Sequence, residues 1–350
     1  MDWKRSIKLV NDEVLGLDIG SSTVKIVALK KDDNGYSVIA SSMRDIAASE
    51  DDGQYRTNTV RAIRKCFEQA RIKTKMAVCG VSGPEVAVRD FEFPPLSAED
   101  IEAAVLLEAS QVCPFNADDS AVGYHLIPNG DDKTRGVLVA AMNTLVKSKV
   151  QLAKEARLNC VLMDVDGLAL LNCFNGFVNR HQKSETNQTV AILNVGGTHT
   201  TLAIMDNNGW PFIRDMTYAG NDIIAQVAAE NNTSIEIVRG NLFDNSSVDD
   251  QELHECLEKA CMKLTGDVGE TLRYYSAQSA SSNVEKLFIC GGFALAGGFV
   301  ELLNSRLGVE AVLWNPFDKI RCNGNRQFQD VCEKTGPAMA VAAGLAMRTV

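Results

Sequence analysis

A chain of 350 residues exceeds one ordinary hydrophobic core and fits two or three domains. Its 45% apolar and 23% charged residues are those of a folded globular protein, and its net charge of −10 argues against nucleic acid as a main partner and against adsorption to anionic lipid through charge alone. No stretch approaches the roughly 20 apolar residues that span a bilayer, Met1 to Asn11 lacks the apolar core of a secretory signal, and ten cysteines without a C-x-x-C pair read as reduced core thiols, so a cytoplasmic protein is expected.

In chain order, Leu15-Gly-Leu-Asp18-Ile-Gly20-Ser21-Ser22-Thr-Val-Lys25 to Leu29 reads as strand, tight turn and strand, followed by the hairpin signal Asn34-Gly35. Thr59 to Arg71 has helical spacing, with Val60, Ile63, Phe67 and Ala70 on one face, and Met76 to Val81 is a strand. Val86 to Phe93 alternates as a half-buried strand ended by Pro94-Pro95. Ser97-Ala-Glu-Asp100 starts a helix that runs to about Val112. Val122 to Ile127 and Gly136 to Met142 are strands joined by the turn-rich Pro128 to Asp132, and Leu145 to Arg157 is a helix. Leu158 to Val165 is a strand and Asp166 to Asn179 an apolar helix, after which the polar stretch His181 to Gln188 marks a boundary between lobes.

The opening pattern then returns. Ala191-Ile-Leu-Asn194-Val-Gly196-Gly197-Thr198 leads through a turn to a second strand ending at Met205, again followed by Asn-Gly, here Asn208-Gly209. Helices are expected over Asn221 to Glu230, Ser234 to Asn241 and Asp249 to Ser279. Lys286 to Cys290 is a strand that runs into Gly291-Gly292, and Gly336 to Met347 is a closing apolar helix.

The chemistry lies in the three turns. Glycine lets backbone approach a phosphate, and N–H groups with the hydroxyls of Ser21 and Ser22 form an anion-binding concavity. Asp18 at a strand end can hold Mg²⁺ through water, and Lys25 can reach the same phosphates as a point charge. Gly196, Gly197 and Thr198 offer the same cradle, but Asn194 supplies a neutral carbonyl where the first copy has a carboxylate, which lowers metal affinity. His199 reads as a solvent-exposed turn residue. Gly291-Gly292 suits backbone packed against a flat ring or ribose. Taken singly, each turn is also compatible with a plain hairpin or with close strand–helix packing; the ordered triple is what carries weight.

That triple resembles the actin, Hsp70 and sugar-kinase superfamily. Asp18, Gly20, Ser21, Ser22 and Lys25 match its phosphate-1 motif, Asn194, Gly196, Gly197 and Thr198 its phosphate-2 motif, and Gly291 with Gly292 its adenosine motif. Within it, Pro95 to Ile101, Glu108 to Phe115, Asp164 to Leu170, Asp215 to Asn221 and Asn315-Pro-Phe317 resemble the PilM family of type IV pilus assembly proteins over nearly the whole chain. The resemblance implies an actin-like, duplicated two-lobe α/β fold with an FtsA-type inserted subdomain. It implies ATP with Mg²⁺ as cofactor, and Asp166 as the group that orients the attacking water. It also implies a cytoplasmic scaffold that binds the N-terminal tail of the membrane protein PilN, sits at the inner face of the inner membrane through it, and ties it to the pilus motor ATPases.

The expected division is a first lobe of residues 1–83 and 159–182, an inserted subdomain of 84–158, a second lobe of 183–335, and 336–350 packing back on the first lobe. Asn194 stands where that family usually has aspartate, which bears on hydrolysis more than on binding, so at most a slow ATPase is expected. The alternatives are an FtsA-like filament-forming, membrane-associated ATPase and a sugar or metabolite kinase. The first is disfavoured because Val350 comes directly after an apolar helix that reads as core, the second because no convincing substrate signature is found. Direct insertion into the membrane is not expected.

Overall fold

The computed structural model describes residues 14–32, 35–127, 133–178, 189–244, 251–278, 283–318, 320–322 and 326–349. The expected turn over Pro128 to Asp132 and the boundary at His181 to Gln188 lie outside them. The chain opens with three antiparallel strands, β1 (Leu15–Ile19), β2 (Thr23–Asp32) and β3 (Gly35–Asp45). Helix α1 (Asp52–Ala70) begins ahead of the expected Thr59, because Asp51 caps it and accepts from the Gln54 N–H at 2.6 Å. Strands β4 (Met76–Val81) and β8 (Asn159–Val165) then join β1 in parallel.

Between β4 and β8 the chain inserts β5 (Val86–Phe93), α2 (Ala98–Val112), β6 (Ser120–Leu126), β7 (Thr134–Met142) and α3 (Asn143–Glu155). Its strands form a separate three-stranded sheet in the order β5-β7-β6, closed over Phe91, Ile101, Val105, Ala109 and Leu138. Ser97 is the N-cap of α2 by position, yet its hydroxyl donates to the Asp100 carboxylate at 2.6 Å and does not accept from a first-turn backbone N–H as the sequence implied.

Helix α4 (Asp166–Val178) leads to the second half, where β9 (Val190–Val195), β10 (Thr200–Met205) and β11 (Pro211–Met216) repeat the opening meander. After α5 (Gly220–Glu230), α6 (Ile235–Phe243) and α7 (Gln251–Gln278), strands β12 (Lys286–Cys290) and β13 (Glu310–Leu313) join β9 in parallel, with α8 (Phe299–Arg306) between them. The sheet order β3-β2-β1-β4-β8 thus recurs as β11-β10-β9-β12-β13. The duplication read from two turns is a duplication of whole sheets.

The last elements are β14 (Arg321–Cys322), α9 (Arg326–Thr335), a 3₁₀ turn at Gly336–Met339 and α10 (Ala340–Leu345). The single helix expected over Gly336 to Met347 is therefore a 3₁₀ turn with Pro337 in it followed by an α-helix. Strand β14 pairs with β3, so residues 321–322, assigned from sequence to the second lobe, extend the first sheet instead. Helix α10 packs on β1 and β2, α4 on β10 and β11, and the two helices pack on each other between the sheets. The apolar side chains of α4, α10 and the 3₁₀ turn before it, among them Leu170, Leu171, Phe174, Met339 and Leu345, form one continuous core with Ile192, Ala203 and Cys290.

Candidate functional site

The first turn is fastened from outside. The Gly20 N–H donates to Thr23 O at 3.0 Å, the Ile46 N–H to Ser22 O at 2.8 Å, and the Tyr55 hydroxyl to Ser21 O at 2.8 Å. Asp18 and Lys25 face each other across β1 and β2 and form an ion pair at 3.1 Å, both almost buried. Lys25 Nζ runs beneath the turn, 3.4 Å from where a Cβ on Gly20 would stand.

The second turn closes the same way, with the Gly196 N–H donating to His199 O at 3.0 Å. The start of α5 docks on it, since the Gly220 and Asn221 N–H groups donate to Gly196 O and Gly197 O at 3.0 and 2.8 Å. Gly197 meets the other turn. A Cβ there would stand 2.6 Å from Ser21 Oγ and 3.0 Å from Ser22 Oγ. Only a residue without a side chain lets the two turns come this close, so Gly20, Ser21, Ser22, Gly196 and Gly197 form one site. Thr198 is exposed beside it.

Asn194 points elsewhere. Its Oδ1 lies 2.7 Å from the Cβ position of Gly291 and 3.8 Å from Cys290 Sγ. Gly291 has φ +97 and is packed against the Val195 carbonyl, a position no larger residue could take, and its N–H donates to Pro337 O at 2.9 Å. Gly292 has open space beside it, with nothing within 4 Å of a Cβ position. Of the two glycines, one serves packing and the other leaves a backbone face free.

Two further carboxylates lie between the sheets. Asp166 opens α4, accepts from the Ser82 hydroxyl at 2.7 Å through Oδ2, and has a buried Oδ1 without a partner, lodged where Gly80 lacks a Cβ. Burial, with the Asp18 charge next in weight, pushes its carboxyl up to about 7. Asp215 on β11 accepts from Thr201 Oγ1 at 2.5 Å and from the Gly83 N–H at 2.7 Å. Burial raises its pKa, and the hydrogen bonds from Thr201 and Gly83 and the nearby His199 pull the other way.

His199 is not the solvent-exposed turn residue expected. Its ring is partly buried and lies against Gly83, whose φ of +103 and missing side chain make room for it. Lys149 on α3 donates to Ile19 O at 2.5 Å. Asp164 is taken up structurally, in a two-pronged ion pair with Arg348 at 2.5 and 2.9 Å. Ser82, Gly83 and Lys149 were not singled out from sequence, and Asp215 entered there only as the first residue of a family-like stretch, with no role given to it. For Asp215 a signal existed, because counting the hairpin register from Asn194 through Thr201 places it on the same row.

The arrangement brings the hydroxyls of Ser21 and Ser22, the backbone of Gly197 and the Asp18–Lys25 pair to one place where the two turns meet. Among the described residues, no cluster of three or more His, Cys, Asp or Glu could hold a metal alone. Asp18 by itself fits an ion that takes most of its ligands from water and a bound anion, as Mg²⁺ does.

Residues 16–350 match the model of the family described as type IV pilus assembly protein PilM. The chain belongs to that family. Among solved structures, a "PilM-PilN type IV pilus biogenesis complex" superposes on this PilM-family chain with a TM-score of 0.78 at 22% identity, covering 96% of this chain and 98% of that one. The ethanolamine utilization protein EutJ of Carboxydothermus hydrogenoformans has a TM-score of 0.58 at 13% identity, covering 96% and 90%. The cell division protein FtsA of Bacillus subtilis is 23% identical over 341 residues, 82% of this chain and 74% of FtsA. The fold is the actin-like two-lobe α/β fold shared by these proteins. No helix among the described residues is long and apolar enough to cross a membrane.

Proposed function

We propose that this PilM-family chain is a nucleotide-dependent scaffold of the type IV pilus assembly machinery. ATP with Mg²⁺ binds between the turns at Gly20–Ser22 and Gly196–Thr198. The lobes held together by it recognise the cytoplasmic tail of a PilN-like membrane protein at the inserted subdomain, which places the chain at the inner face of the inner membrane. The observation that carries the reading is the contact of Gly197 with the hydroxyls of Ser21 and Ser22, which puts donors from both sheets on one anion-sized site.

In this reading Lys25 neutralises phosphate charge from beneath the first turn, Asp18 holds the metal through water, and open Gly292 lies against the adenosine. The bound nucleotide stabilises the arrangement in which the two turns meet. Hydrolysis is slow. Asn194 supplies a neutral amide where a carboxylate would add charge, so the second half brings no acidic group of its own at that position. The partner's name comes from the superposed PilM-PilN complex, and the insertion between β4 and β8 presents a sheet whose edge strand β6 is largely exposed.

Calorimetric titration of ATP and of a PilN tail peptide, each alone and each in the presence of the other, tests the scaffold. Tighter peptide binding with ATP, matched by tighter ATP binding with peptide, is the expected result. Equal affinities would remove the coupling, and sugar-dependent release of ADP would make the chain a kinase.

A further inference from the structure

The net charge of −10 hides a strong local excess of the opposite sign. Between residues 56 and 75 there are seven Lys or Arg and one acidic residue, Glu68. The structure sorts them. Helix α1 buries Val60, Ala62, Ile63, Cys66 and Ala70 against the first sheet. It turns Arg61 and Lys65 outward at the i, i+4 spacing of a single stripe, and Arg71 at its end lies exposed too. Lys73 and Lys75 carry the charge along the connection to β4, and Arg44 at the end of β3 adds to it from the side. Among the described residues none of these six is held in an ion pair. Arg44, Lys65 and Arg71 line one open hollow of about 750 Å³, with Asp45 and Glu68 as its acidic members.

We propose that this basic face docks on an anionic lipid bilayer. Its composition selects that occupant over a folded protein. None of the exposed large apolar side chains lies between residues 44 and 75, whereas protein interfaces need an apolar or aromatic centre. A charged bilayer surface needs only several cations within a Debye length of it. The stripe also borders the inserted subdomain, because Arg56 pairs with Glu155 of α3 at 2.7 Å and Arg64 donates to Glu155 O at 2.5 Å. A molecule lying on this face therefore keeps its inserted subdomain close to the membrane plane. The inference stands on the charge pattern and does not require that a tail be bound.

Flotation of the purified full chain with two sets of vesicles tests it, phosphatidylcholine alone and phosphatidylcholine with 30% phosphatidylglycerol. Binding is expected only with phosphatidylglycerol, at about 50 mM salt, and is lost near 500 mM. The reversals R61E/K65E and, separately, K73E/K75E change exposed side chains, and an unchanged thermal melt shows that each variant is folded. Each pair should weaken partitioning by tenfold or more, at roughly fivefold per cation. No binding at low salt, or full binding by both variants, overturns the proposal. So does preferential capture of duplex DNA over vesicles in the same salt, which would assign the face to nucleic acid.

Discussion

The two opening hairpins share a backbone and differ in where they keep their polar groups. Along one row of the first sheet stand Asp18, Lys25 and Met43; along the corresponding row of the second stand Asn194, Thr201 and Asp215. In the first, acid and base are neighbours and satisfy each other within the sheet. In the second, the acid sits two strands away at the edge, takes one hydrogen bond from Thr201, and reaches out of its own sheet to the Gly83 N–H at the end of β4. The same scaffold thus spends one carboxylate next to the ligand turn and the other on joining the two halves. Asn194 is then less a loss than a relocation of charge.

The sharpest probe of that contrast is Asp166, which feels both acids. Its folded-state pKa of about 7 lies above the ordinary 3.8, so the unfolded chain releases this proton first as pH rises. Stability is lost between about pH 4 and pH 7, and the cost is fully present above that. Thermal melts of Asp166→Asn should show that limb flattened, with the largest gain over the parent at pH 8. Following the Asp166 carboxyl by carbon NMR, Asp18→Asn should lower its pKa more than Asp215→Asn does; the reverse order would break the comparison.

Gly197→Val fills the space occupied by the Ser21 and Ser22 hydroxyls and should weaken ATP binding about 100-fold by calorimetry, while β9 and β10 remain paired. Asp215→Ala removes the acceptor of two hydrogen bonds and should cost about 2 kcal/mol in urea unfolding. Asp18→Ala should cost comparable stability, yet it should also reduce the Mg²⁺ dependence of ATP binding, which Asp215→Ala leaves intact. Asn194→Asp adds a carboxylate to the row of Thr201 and Asp215, beside Gly291, and should raise phosphate release about tenfold; an unchanged rate would place the deficit elsewhere. Thr201→Val, which loses one partner of Asp215, should have the smallest effect, about 1 kcal/mol.

Much of this was legible because it is local. The strands Met76–Val81, Val86–Phe93 and Lys286–Cys290 fall where the apolar runs placed them, and both turns lie where glycine and hydroxyl residues cluster. The stretch from α8 through α9 was not read, since β13 and β14 are short and α9 is mostly polar. The role of His199 depends on a glycine more than a hundred residues away, and that of Asp215 on a backbone N–H in the other half. Both arise from how two sheets meet, which no window of sequence records. The same holds for Asp164, whose partner is the distant Arg348.

Gly16 and Gly344 set the stiffness of that meeting. A Cβ on Gly16 would overlap the backbone of α10 at Ala342, and one on Gly344 would overlap the backbone of α4 at Ala169. At these points main chain lies directly on main chain from β1 through α10 to α4, with no layer of side chains to absorb a shift by changing rotamers. A displacement at the first turn is therefore carried to α4 without slack, and through it to the sheet of the second turn. The halves are geared together, so whatever draws the turns closer must rotate whole sheets.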